Sequence, residues 1–257
     1  MNKKEYVINC YQEYKKFMGN VELPDINPIF DMQNDRRKSV LAYVDTDDMG
    51  RSIIPVYIKE TLFNYNDKFY KSILYHEFTH IFDGCITFDN TEEENIFNML
   101  MGSYSEYHAS QIETLSQLNC PSIKDINAIT YNLQTNVFIE DEQIDLEGYI
   151  ATPLVTSTTI LSKSPLEYLL FDKLDYYITY DKAEKNMFYF WGKYNICEKY
   201  FSSAQNEILF KEFGIFKEDA VKIYGALKKK NYTDLLDNKN NFYNHYLSHF
   251  KSLTFSI

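Results

Sequence analysis

The run FYKSILYHEFTHIFDG, residues 69–84, constrains this chain more than any other stretch. Its apolar residues Phe69, Tyr70, Ile73, Leu74, Phe78 and Ile81 recur at helical spacing. The spacing predicts a helix over 67–82, with Gly84 in the position that often ends one. On that helix His76 and His80 share one face about one turn apart, where both imidazoles reach a single metal ion. Glu77 stands about 100° around the helix, directed past the ion toward a water bound to it. Zinc lowers the pKa of such a water to about 7, and a carboxylate there takes the proton as the water attacks a carbonyl. With 5 His and 19 Glu in the chain, H-E-x-x-H is expected by chance about 0.007 times. Two histidines that merely satisfy hydrogen bonds in a core would have no use for a glutamate in register.

A catalytic zinc takes three protein ligands and keeps a fourth position open. A third histidine six residues beyond His80 would complete the metzincin pattern, but that residue is Ile86. The thermolysin pattern needs Glu-x-x-x-Asp, which does not occur in the region. Ser103-Tyr-Ser-Glu-Tyr-His-Ala109 does offer Glu106 and His108. Two positions apart on a helix they diverge by about 200°, so only one faces the ion. A straight helix over 91–118 would put Glu106 ~22 Å from its start, much farther than His76 and His80 stand from their own helix end. A break at 101–103 resolves the mismatch, and Ser103 with Glu106 has the form of a new capping box.

HEFTH followed after 25 residues by Glu106-Tyr-His-Ala resembles the ImmA/IrrE-type metallopeptidases, over roughly residues 35–118. That family pairs an HExxH helix with a later helix carrying Glu-x-x-Ala. The resemblance implies His76, His80 and Glu106 as ligands of one zinc ion and Glu77 as the base. It also implies a narrowly specific intracellular protease.

Composition agrees with an enzyme of this kind and excludes others. Only 8 Gly and 6 Pro in 257 residues leave little material for the many tight turns of a sandwich or barrel. A net charge of −11 argues against direct nucleic-acid binding; the densest basic run, Lys228–Lys230, reads as the cationic end of a helix. Cys10, Cys85, Cys120 and Cys197 are scattered without a CxxC pair, as expected of reduced thiols. No apolar leader and no stretch of ~20 apolar residues is visible. The expectation is a cytoplasmic protein with no membrane contact.

Along the chain, a helix is expected over 3–18, with Tyr6, Cys10, Tyr14 and Phe17 on one face. Residues 21–30 hold two prolines and read as extended or looped. Strands over 39–44 and 52–58 form a hairpin, and Pro55 assigns the second to a sheet edge or a bulge. Capping boxes stand at 91–94 and 164–167. Helices are expected over 122–142, 164–180, 183–212, 217–230 and 240–251, with a β-branched, non-helical stretch at 148–162. The reading is therefore an α+β, zincin-like metallopeptidase domain: a catalytic region at 1–120 with a small sheet, and a predominantly α-helical region at 121–257 packed on it.

Several residues carry secondary roles. His108 is the candidate catalytic donor to a developing oxyanion, with Tyr104 and Tyr107 as rivals. Asp83 is either a carboxylate that orients a ligand imidazole or a helix-end residue. His245 and His249 repeat the i, i+4 spacing without a glutamate and belong with the aromatics around them. Trp191 reads as core. The function expected is zinc-dependent hydrolysis of a peptide bond in a protein or peptide substrate, by a zinc-bound water activated by Glu77. The rival is a regulatory or interaction module that keeps the fold without turnover.

Overall fold

A computed structural model of the chain describes residues 2–30, 40–45, 48, 49, 51–87, 94–129, 131, 134–156, 173–202 and scattered positions between 218 and 245. Within its helices the backbone alone is described at 86–87, 94–104 and 173–184. The architecture is mixed α+β, mostly helical, with a small sheet. Two compact units are distinguished: residues 1–101 with 108–149, and residues 102–107 with 150–257.

The first unit opens with α1 (Lys3–Phe17), started by a reciprocal cap between Asn2 and Glu5. Its buried face is Val7, Cys10, Tyr11, Tyr14 and Phe17, which holds the expected Cys10, Tyr14 and Phe17 and adds Val7 and Tyr11, while Tyr6 is half-buried. Three strands follow, β1 (Asp25–Ile29), β2 (Ala42–Tyr43) and β3 (Ile53–Ile58), in the order β1-β3-β2. The expected hairpin is there: β2 pairs antiparallel with β3. The stretch read as extended or looped is β1, parallel to β3 along its whole length. Pro55 is therefore on the central strand, contrary to the edge assignment. It is tolerated because, among the described residues, β2 pairs with Tyr57 and Ile58 and no ladder bond on that side of β3 reaches Pro55. Ile54, Val56 and Ile58 are fully buried on the inner face.

Asn66 caps α2 (Asp67–Thr87), its side chain accepting the Lys68 N–H at 2.9 Å. α2 packs beside α1 and beside β2. Tyr11 and Tyr14 set their ring edges on Phe78 at 4.8 and 5.6 Å, and Tyr14 meets Tyr75 at 5.3 Å. The helix does not stop before Gly84; it runs three residues past it. A Cβ at Gly84 would lie 2.7 Å from Met49 Sδ, so the glycine admits a close neighbour and does not end the helix. Next comes α3 (Glu94–Gln117), continuous through 101–103, where a break was expected. Gln117 ends it with a clasp: its amide donates to Phe138 O at 3.0 Å and Ser72 Oγ at 3.0 Å, and its carbonyl accepts from Phe138 N at 3.3 Å.

The helix expected over 122–142 is replaced by a 3-10 turn (Ile123–Ala128) and a hairpin of β4 (Val137–Ile139) and β5 (Glu142–Ile144). Glu140 takes φ 54° in the two-residue loop between them. Helix α4, residues 146–156, then occupies much of the stretch expected to be non-helical. Asp145 starts it by accepting the Gly148 N–H at 2.6 Å.

In the second unit, α5 (Lys173–Cys197) is one helix across 180–183, where two were expected, and a 3-10 turn (Glu198–Tyr200) follows. Met187, Phe188, Trp191 and Tyr194 are fully buried, so Trp191 is core. The capping residues at 91–93 and 164–167, His249, Lys228 and Lys230 lie outside the described residues, as do most of the helices expected beyond 202. Cys10, Cys85, Cys120 and Cys197 form no disulfide. Among the described residues, no helix is long and apolar enough to cross a membrane.

The α1–α2 core makes alkaline sensitivity predictable. Burial pushes the Cys10 thiol from an ordinary 9.0 up to about 12, and burial raises Tyr14 and Tyr75 as well. The unfolded chain then releases these protons first. The stabilisation is complete below pH 9 and is lost as pH climbs toward 12. At about pH 10.5 Cys10 alone removes ~2 kcal/mol. Urea midpoints at about pH 7.5 and about pH 10.5 should show the drop, and a smaller one for Cys10→Ala. Equal drops would remove Cys10 from the explanation.

Candidate metal centre

α2 is buried nearly all round, and polar side chains on such a helix must find partners within the protein. Thr79 donates to Tyr75 O at 2.8 Å and receives the Tyr14 hydroxyl at 3.2 Å, on the side facing α1. His76 and His80 stand elsewhere on the helix, their rings edge to face with centroids 4.8 Å apart. His76 Nδ1 lies 3.2 Å from Glu113 Oε2 of α3, and Asp83 Oδ1 lies 2.7 Å from His108 Nδ1 of the same helix. Moving up α2 from 76 to 83 thus moves down α3 from 113 to 108, so the two helices run antiparallel.

This register brings Glu106 to the histidines. One ligand atom each from His76, His80 and Glu106 lies within 4.8 Å of the others. His76 is buried, while His80 and Glu106 are half-buried. Two imidazoles and one carboxylate suit a zinc-type ion. Around a tetrahedral ion with bonds of ~2.0–2.2 Å, donor atoms stand ~3.3–3.6 Å apart. Side-chain adjustments of about an ångström close the set on one ion, so the residues fit the group.

Glu77 is buried beside this cluster, and its Oε2 accepts the Val44 N–H at 3.2 Å. The residue just past β2 therefore fixes one oxygen of that carboxylate, as a charge-assisted bond from backbone. His108 is buried against Asp83, with the Phe82 ring 5.8 Å away. It is not one of the three clustered ligands. Asp83 does engage an imidazole, as anticipated, but that of His108. Tyr107 is buried, and the side chain of Tyr104 lies outside the described residues. His245 pairs with Asp219 at 2.6 Å.

The cluster forms without a break in α3. α2 continues to Thr87, five residues beyond the expected end, which lengthens the stretch from His80 to the helix end by ~7.5 Å. Glu106 is thus mid-helix rather than in a first turn.

Three participants were not foreseen: Glu113, Tyr149 and the Val44 N–H. The Tyr149 hydroxyl donates to Glu113 Oε1 at 2.7 Å. Glu113 did leave a trace, since seven residues from Glu106 place it on the same face of α3, two turns on. No protein-family model matches the chain, no curated protein matches it, and no solved structure matches it.

Proposed function

We propose that the chain is a zinc-dependent peptidase with a zincin-like catalytic region, hydrolysing a peptide bond in a protein substrate. The observation that carries this reading is the clustering of His76, His80 and Glu106 beside a glutamate that directly follows the first histidine. His76 and His80 would hold the ion through imidazole nitrogens and Glu106 through a carboxylate oxygen. When bound, zinc supplies Lewis acidity and makes a water in its open position acidic near neutral pH.

The remaining chemistry belongs to the chain's own side chains. Glu77, with one oxygen held by the Val44 N–H, accepts the proton of the attacking water and returns it to the leaving amine. His108, buried with its Nδ1 engaged by Asp83, is our candidate to steady the developing oxyanion. The ImmA/IrrE resemblance supports the same assignment and a cytoplasmic location.

The first test is metal content. The 257-residue protein purified without chelator should carry about one equivalent of zinc. Elemental analysis of a His76→Ala, His80→Ala double variant should find none. Wild-type protein with no stoichiometric metal would end the peptidase reading.

A further inference from the structure

We propose that Glu113, held in turn by Tyr149, is the positioning residue of the metal site: it sets His76 in the ring orientation and tautomer that turn Nε2 to the ion. The inference rests on the reading of His76, His80 and Glu106 as ligands.

The geometry runs back from the imidazole. A carboxylate opposite His76 Nδ1 draws the ring proton onto that nitrogen and leaves the lone pair on Nε2. Glu113 is 3% exposed, and a buried carboxylate is tolerated when its oxygens are satisfied. Here the two oxygens have different partners: Oε2 faces His76 Nδ1 at 3.2 Å and Oε1 accepts the Tyr149 hydroxyl at 2.7 Å. The carboxylate plane is thereby fixed from both ends, and the ring opposite it is fixed with it. Tyr149 is also held. It is 1% exposed and sits in the first turn of α4, where its N–H donates to Asp145 O at 3.1 Å. A line of positioning thus runs from the Asp145 cap through Tyr149 and Glu113 to His76. It joins the start of α4 to a ligand 73 positions earlier in the chain. An anionic partner also raises the basicity of the ligand nitrogen, so both orientation and donor strength depend on Glu113.

The test uses the 257-residue apo chain, titrated with Zn²⁺ against a chromophoric chelator, and the visible absorption of its Co²⁺ form. Glu113→Gln keeps the volume and a contact for Tyr149 but removes the charge, and zinc affinity should fall ~10–100-fold. Tyr149→Phe frees one carboxylate oxygen, and affinity should fall by about 3–10-fold. Both should change the Co²⁺ band intensities, which a merely structural role would leave alone. Glu13→Gln, on an exposed ion pair with Lys71, is the control and should bind as wild type does. Wild-type metal binding with unchanged affinity in both variants overturns this inference and leaves the ligand assignment standing. A wild type that takes no zinc overturns the ligand assignment, and this inference with it. If Glu113→Gln does not fold, Tyr149→Phe decides by the same affinity measurement.

Discussion

Glu77→Gln is expected to keep its zinc and lose cleavage, by a factor of ~10²–10⁴, the usual range for a general base. The substitution preserves shape, and a glutamine carbonyl still accepts the Val44 N–H that Glu77 accepts at 3.2 Å. Folding and metal content should therefore not change. What disappears is a group able to take a proton from water near neutral pH and hand it to the leaving amine. The substrate is unnamed, so the assay is new N-termini, counted by mass spectrometry after a proteome-derived peptide library meets the zinc-loaded protein. Wild type should generate them at a restricted set of sites, and Glu77→Gln should not. Zinc-loaded wild type that generates none would favour the non-catalytic interaction module. Equal cleavage by both proteins would remove Glu77 from the chemistry.

What was legible in the sequence is what local spacing encodes. His76, Glu77 and His80 lie within five residues of one helix, so their mutual geometry follows from 3.6 residues per turn. The third ligand depends on how two helices pass each other, which no local rule supplies. Glu106 was reached through resemblance, and the break invoked to bring it near the histidines is absent because α2 is longer than expected. Gly84 shows the same limit: a glycine near a helix end reads as a stop, whereas its missing Cβ admits Met49. At 137–144 a hairpin turns through Glu140 and Asp141, with none of the glycine or asparagine that would announce it. Asp145 could have been read as the cap of α4, but the β-branched run after it pointed away from helix. Glu113 left only its place on the Glu106 face of α3, and its use was hidden for a different reason. A glutamate in mid-helix is usually solvated, and the positions of His76 and Tyr149 give this one an interior use.

Glu106→Ala and His108→Ala should separate the ligand from its neighbour. A structural zinc site with four ligands binds with ~10–16 kcal/mol, or ~2.5–4 kcal/mol per ligand. Losing Glu106 should then cost ~10²–10³-fold in affinity, about tenfold more than the loss proposed for Glu113. His108→Ala should retain stoichiometric zinc, because His108 is tied to Asp83 and its side chain diverges from that of Glu106 by about 200° around α3. Removing the imidazole also takes a hydrogen-bond partner from a buried carboxylate, so a drop in stability alone does not speak to metal binding. His108→Asn answers that difficulty. Its amide N–H can stand in for Nδ1 as donor to Asp83, while nothing replaces Nε2. Zinc retained in His108→Asn and lost in Glu106→Ala assigns the third ligand to Glu106. Zinc retained in Glu106→Ala and lost in His108→Asn would require α3 to present its other face to the ion. The antiparallel register set by His76 with Glu113 and Asp83 with His108 would then be wrong as well.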